Sequence, residues 1–164
     1  SWGNDKELIL RFAKKGDILG HRGLGKNIFY PVSATAIEEG SVCFLEIDFF
    51  QSSLKVNHEF LYELMLFYAS ELKESENNMR NLAHMPVRGR IAQALLTLRG
   101  KFGTDSDGMI NIILSRQDLA SFVGTSYETL FRMLNELVEE NILKIADKRI
   151  QIINAEKLSG YIDE

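Results

Sequence analysis

Hydrophobic and polar positions follow three different rhythms along this chain. Up to about residue 50, short apolar runs are broken by turn residues. Leu8, Ile9, Leu10 and Phe12 give way to Lys14, Lys15, Gly16 and Asp17; Ile18 and Leu19 give way to the glycine-rich stretch from Gly20 to Asn27; and the apolar run from Ile28 to Ile37 is interrupted by Pro31. That rhythm predicts short strands joined by turns. A further turn is expected at Glu38, Glu39 and Gly40. Val42 to Ile47, rich in β-branched and aromatic side chains, predicts a strand buried on both faces, with Cys43 an inert buried thiol. Short strands at such spacing point to a small barrel or jelly roll, in which a glycine-rich loop either presents backbone N–H groups to a phosphate or simply turns a corner.

From about Asn57 to Ala83 the period becomes helical. Leu61, Met65, Tyr68, Leu72, Ser75, Met79 and Leu82 alternate spacings of four and three, the seam of a coiled coil. Phe60, Leu64, Leu66 and Phe67 form a second apolar face, so one helix can carry its own domain on one side and a second copy on the other, as an isologous dimer. Ser75 and Glu76 interrupt the seam with polarity, which either fixes register or faces a bound ligand. Pro86 cannot continue the helix and biases Met85 away from helical dihedrals, which marks His84 to Pro86 as a hinge.

The third rhythm is mixed. Val87 to Leu98 predicts a helix on Ile91, Leu95 and Leu98, Gly100 to Gly108 a loop, and Met109 to Leu114 a strand. Ser115 to Leu134 then reads as two short helices joined at Gly124. Leu119, Ala120 and Val123 line the inner face of the first, Thr125 or Ser126 caps the second, and Leu130, Met133, Leu134 and Leu137 form its buried stripe. Tyr127, Glu128 and Arg132 are left facing outward near the N-terminal half, the part that meets base edges in helix-turn-helix proteins. An ordinary helical hairpin with a surface Glu–Arg pair is the plainer account of those residues alone. LKIADKRIQII predicts a β-hairpin turning at Asp147 and Lys148, completing a winged helix.

Composition narrows the classes. With 164 residues, 45% of them hydrophobic, and a net charge of −4, the chain is globular and large enough for one good core or two small ones. No apolar run approaches the roughly 20 residues of a membrane span and no secretory leader stands at the start, so a cytoplasmic protein without membrane contact is expected. One cysteine and three scattered histidines offer neither an internal disulfide nor zinc-type spacing. The acidic balance runs against nucleic-acid binding, and neither half, divided near Met85 and Pro86, is basic overall. Local placement offsets it: Arg116, Arg132, Lys144, Lys148 and Arg149 fall in or after the two-helix stretch, with Glu136, Glu139, Glu140 and Glu156 free to point away. Nothing nominates an enzyme, since there is no metal cluster, nucleophile elbow or Lys-Ser/Thr phosphate loop.

NLAHMPVRGRIAQALLTL, SRQDLASFVGTSYETLFRML and NILKIADKRIQII, in that order after a roll and a long seam helix, resemble the Crp/Fnr family of bacterial transcription regulators. The likeness covers nearly the whole chain, and GRIAQALL and SRQDLA carry it most strongly. It implies an α+β fold: a partial cyclic-nucleotide-binding-like β-roll over residues 1–56, lacking its beginning, a dimerisation helix and hinge over 57–85, and a winged helix-turn-helix over 86–164. The resemblance further implies that Glu128 and Arg132 read base edges, the carboxylate accepting from cytosine N4 and the guanidinium donating to guanine O6 and N7. Tyr127 stands where cyclic-AMP-responsive members carry another guanine-reading arginine, so one fewer guanine per half-site is expected, with contact to a thymine methyl or phosphate instead. Ser115, Arg116, Gln117 and Ser126 would hold phosphates, with Lys148 a further candidate. The partners implied are a twofold double-stranded operator, a second copy of the chain and, through the loop Lys101 to Gly108, RNA polymerase.

The effector region departs from the family. Where cyclic-nucleotide-binding members carry a Glu for the ribose and an Arg-Ser pair for the phosphate, this chain has His21, Tyr30 and Pro31 after Gly20; Ser75 and Glu76 fall where the long helix would read a base. A buried phosphate without its arginine has no charge partner. The expectation is a regulator whose small-molecule effector is unknown and is not cyclic AMP bound in the family manner. His21 suits a haem or metal, but a lone histidine near a loop is more often a solvated polar residue. The alternative is a ligand-binding module acting on a protein partner without DNA.

Overall fold

The structure is a computed structural model and describes residues 7–24, 30 and 32–162. After a 3-10 turn at His21–Gly23 come helices α1 (Ile47–Val56), α2 (His58–His84), α3 (Val87–Phe102), α4 (Arg116–Val123) and α5 (Tyr127–Glu139), strands β1 (Leu143–Ala146) and β2 (Arg149–Ile152), and helix α6 (Ala155–Gly160). The architecture is α+β. Two compact units form, one from the described residues up to Ser33 together with Met85 onward, the other from Ala34–His84.

In the first unit, α3, α4 and α5 surround one core. Ile91, Leu95 and Leu98 meet Leu119, Ala120 and Val123, Leu130, Leu134 and Leu137 close the far side, and Ile142, Leu143, Ile150 and Leu158 seal it from the hairpin and α6. α3 runs four residues beyond the expected Leu98, because Gly100 inside a helix costs only about 1 kcal/mol and the chain turns only at Gly103, with φ of 73°. β1 and β2 pair antiparallel from Leu143↔Ile152 to Ala146↔Arg149, and Asp147 takes φ of 55° in the two-residue turn. The strand expected at Met109 to Leu114 shrinks to isolated bridges, Thr104↔Ile110 and Met109↔Gln151. Ile110 N–H donates to the Ile150 carbonyl at 2.8 Å, after which Ile112 N–H turns back to the Ile110 carbonyl at 2.9 Å and the segment leaves the ladder.

Before Ile47 no described residue belongs to a strand, so the expected roll is not observed there. A strand needs a neighbour to satisfy its backbone groups, and the residues packed on this segment are helical instead. Ile9 N–H donates to the Ser121 carbonyl at 3.2 Å. Phe12 is buried edge-on against Phe122, with ring centroids 4.9 Å apart, and Asp17 pairs with Lys101 at 2.6 Å. The turn at Lys14–Asp17 forms, Asp17 N–H donating to the Lys14 carbonyl at 3.0 Å.

In the second unit, Val42 to Glu46 is exposed rather than a buried strand, Cys43 included, and Ile47, the expected strand's last residue, instead opens the unforeseen helix α1. α1 packs on α2 through Phe50 and Phe60, 5.7 Å apart and edge to face. α2 matches the expected long helix. Leu64 is buried on it, whereas Leu61, Met65, Leu72, Met79 and Leu82 of the seam are exposed and Tyr68 and Ser75 are half-buried.

Two glycines on α3 make a controlled test of this packing. A Cβ on Gly89 would lie 2.5 Å from the Tyr161 carbonyl oxygen and 2.9 Å from Met85 Cγ, whereas one on Gly100 meets nothing within 4 Å. Gly89→Ala is expected to lower stability by about 1–3 kcal/mol, from forced separation of α3 and the C-terminal segment. Gly100→Ala is expected to raise it by up to about 1 kcal/mol. Thermal unfolding of the two variants checks both signs.

Candidate nucleic-acid interface

The two-helix stretch is fixed at both starts by side-chain caps. Ser115 Oγ accepts from Asp118 N–H at 3.0 Å while its own proton goes to Asp118 Oδ2 at 2.6 Å, a reciprocal box that starts α4. At α5 the cap is Ser126, not Thr125: its Oγ accepts from Thr129 N–H at 3.2 Å. Between the helices Gly124 takes the left-handed conformation, φ 72° and ψ 45°, and its N–H returns to the Ala120 carbonyl. A side chain would strain that backbone, so the sharp turn depends on glycine.

The turn presses one edge of α5 into the core. Leu130, Leu134 and Leu137 are at most 1% exposed, with Met133 half-buried beside them. At 3.6 residues per turn, the opposite edge must then carry Tyr127, Glu128, Phe131, Arg132 and Asn135, and all five are exposed. Tyr127 and Phe131, one turn apart, stack with centroids 6.2 Å apart and planes 11° from parallel. Phe131 was missed by sequence reasoning; its spacing of four from Tyr127, off the leucine stripe, was the available signal.

The expected phosphate contacts divide. Gln117 and Lys148 are exposed, Lys148 in the wing turn. Ser115 and Ser126 use their hydroxyls as caps. Arg116 turns its guanidinium to the wing, donating from Nη1 to the Lys148 carbonyl at 3.2 Å and from Nη2 to the Asp147 carbonyl at 3.1 Å. Burial there lowers its pKa, opposed by Tyr127 and Asp147. Two donors thus set the height of the wing against α4, and the rest of the guanidinium's donor set remains for other acceptors. Arg149 is spoken for by Asp105, with which it forms an ion pair.

Among the acids, Glu140 pairs with Arg88 and accepts from the Tyr161 hydroxyl at 2.8 Å, and Glu136 lies 3.8 Å from Arg88. The Arg88 guanidinium sits 4.3 Å over the Tyr161 ring, so the start of α3, the end of α5 and the C-terminal turn are bound together.

Of the effector residues expected, Gly20, His21 and Tyr30 come together. A Cβ on Gly20 would stand 3.3 Å from the Tyr30 ring and one on Gly23 only 2.7 Å from it, so the hydroxyl end of the aromatic is packed against the glycine turn. His21 is buried, at 6% exposure, rather than solvated, because the 3-10 turn carries it inward. Pro31 lies outside the described residues. Ser75 is half-buried and Glu76 exposed on α2. Among the described residues, no three His, Cys, Asp or Glu side chains are grouped to hold a metal, and no helix is long and apolar enough to cross a membrane.

Capped helices crossing at a glycine, an exposed face on the second and a hairpin clasped to the first define a winged helix-turn-helix. Residues 89–161 match the Crp-like helix-turn-helix domain. The chain is 34% identical over 153 residues to the cAMP-activated global transcriptional regulator CRP of Escherichia coli, covering 90% of this chain and 71% of that protein. It is 31% identical over 143 residues to the anaerobic regulatory protein of Bacillus subtilis, covering 85% of this chain but only 60% of that one. FixK2 of Bradyrhizobium japonicum shares the fold at a TM-score of 0.64 and 23% identity, over 70% of this chain and 57% of its own. This chain therefore belongs to the Crp/Fnr family of transcription regulators.

The α5 cap yields a pH test. The Glu128 carboxyl is held below its ordinary range by its own backbone N–H and by the Ser126 hydroxyl, against a slight opposing effect of burial. A depressed carboxyl pKa stabilises the folded state above the unfolded value, and that stability is lost as pH falls through the folded pKa. In a carboxyl NMR titration the Glu128 midpoint should lie below 4.5 and move up towards it in Ser126→Ala. A wild-type midpoint at or above 4.5 would contradict the cap geometry.

Proposed function

We propose that this chain is the dimerising and DNA-reading part of an effector-responsive, cytoplasmic transcription regulator that binds a twofold operator. The observation that carries the proposal is the exposed edge of α5: Glu128 and Arg132 stand side by side on the one face of this helix that the core does not use. In the major groove, Arg132 donates to guanine O6 and N7 and Glu128, ionised at neutral pH, accepts from cytosine N4. Tyr127 joins them as a third base-edge contact. Lys148 and Gln117, with the backbone N–H groups behind the Ser115 and Ser126 caps, approach phosphates, and Arg116 holds the wing that carries Lys148. The role is regulatory, not catalytic.

Dimerisation is supported by α2. Leu61, Met65, Leu72, Met79 and Leu82 lie on its exposed side at heptad spacing, an arrangement that a second copy would bury with Tyr68. Two copies would place their α5 helices about 34 Å apart, one turn of DNA. Domains running over 1–56, 57–85 and 86–164 fit this division of labour.

The effector proposed is a small molecule other than cyclic AMP. Although the Escherichia coli relative is cAMP-activated, here the Tyr30 ring lies against the Gly20 and Gly23 backbone, and Tyr30 and Pro31 stand in the sequence where the resemblance places the family's Arg-Ser phosphate grip. Gly20, His21, Tyr30 and Pro31 are the effector-contacting candidates of the first unit, and Ser75 and Glu76 those of the second. The loop Lys101 to Gly108 is the candidate surface for RNA polymerase.

Full-length protein incubated with a random duplex library, with and without cyclic AMP, is expected to enrich a palindrome with a G·C pair in each half-site. Arg132→Ala should weaken binding about tenfold or more and relax that position, and cyclic AMP should change neither sequence nor affinity. Enrichment only with cyclic AMP would overturn the effector reading alone; no enrichment from a folded dimer under any condition would leave the protein-binding module as the better account.

A further inference from the structure

We propose that Tyr127 and Phe131 form an aromatic platform that reads thymine methyl groups beside the G·C pair, with Phe131 a specificity-determining residue of the operator. The inference rests on the DNA-reading role proposed for α5. Phe131 is 49% exposed and Tyr127 43%, on the edge of α5 that also carries Glu128 and Arg132. Any groove entered by those two charges is entered by the rings as well.

The chemistry of the groove then selects the target. Phe131 has no donor or acceptor, so it cannot distinguish bases through hydrogen bonds. Of the groups that base pairs present in the major groove, only the thymine C5-methyl is apolar. A G·C pair opposite Phe131 would bring amino and carbonyl groups against a ring that satisfies neither, with a loss of solvation and no compensating bond. An A·T pair with its methyl towards the ring excludes water from two apolar surfaces instead.

Stacking sharpens the selection. The two rings are 6.2 Å apart and 11° from parallel, so each limits the rotation of the other and the platform is ordered before DNA arrives. Their separation is less than two base-pair rises of about 3.4 Å each, so methyls on neighbouring steps can both be covered. Leu130 and Leu134, fully buried behind them, keep the helix from turning to hide the pair.

The test removes the methyl and nothing else. In the most enriched duplex from the selection described above, each thymine is replaced in turn by deoxyuridine, and binding of the full-length protein is measured by fluorescence anisotropy. One or two positions per half-site, next to the pair relaxed by Arg132→Ala, should each weaken binding about fourfold, the worth of one buried methyl. In Phe131→Ser, an exposed site that leaves the core untouched, one of those penalties should disappear while any at the neighbouring step covered by Tyr127 and the Arg132 dependence persist. Uracil tolerated at every position, or penalties all unchanged in Phe131→Ser, would overturn the platform and leave the regulator reading intact. Failure to enrich any duplex would overturn both.

Discussion

Everything distinctive about this molecule depends on the burial of one edge of α5. Leu130, Leu134 and Leu137 each contribute about 1.5–3 kcal/mol by leaving water, and together they are a large part of the stability of a small winged helix. Because they recur at three and four residues, they also fix the rotation of the helix about its axis. The exposed face proposed to read bases is therefore set by the core: Tyr127, Glu128, Phe131 and Arg132 point outward because the leucines point inward. Gly124 and the Ser126 cap set where that helix begins, and so which residues occupy its exposed first turns.

The wing is tied into the same constraint. Ile142 and Leu143 follow α5 directly into the core, and Ile150 returns to it from β2, so the hairpin cannot shift without opening the leucine stripe. Arg116 adds a polar clasp, reaching from the first turn of α4 to the carbonyls at the hairpin tip. Those carbonyls belong to a two-residue turn with Asp147 at positive φ, where little backbone remains for internal pairing. Using the guanidinium there trades a possible phosphate contact in the free protein for a fixed wing height.

What could be read from the sequence was what local chemistry decides. Capped helices, the glycine turn, the Asp147–Lys148 hairpin and the long period of α2 all follow from spacing within a few residues, and each is present. The misreadings share another origin. Strands before Ile47, and a third strand at Met109 to Leu114, require partners far along the chain, and a run such as Val42 to Ile47 looks the same whether or not a neighbour lies beside it. In the structure that run is exposed, and Cys43 with it. The inward turn of His21 was hidden for a related reason: it is produced by positive φ at Gly20 and by the Tyr30 ring, neither visible as a pattern. On the exposed face of α5, Glu128 and Arg132 were legible as charges, whereas Phe131 looked like one more apolar residue in an apolar helix.

The acidic balance of the chain looks unfavourable for the proposed partner, but net charge is a poor guide to the field at a surface. Exposed charges more than a Debye length apart, about 8 Å at physiological salt, hardly feel each other. Around α5 several acids are paired, Arg88 holding Glu136 and Glu140, Arg149 holding Asp105 and Ser115 engaging Asp118, while Glu128, Glu139 and Asp147 stay exposed. Arg132, Lys144 and Lys148 remain on the exposed side. A face with so few cations gains little from phosphate neutralisation, the term that dominates sequence-independent binding. Its affinity must come disproportionately from base edges, which makes the ratio between right and wrong sites, rather than raw affinity, the quantity such a surface is suited to maximise.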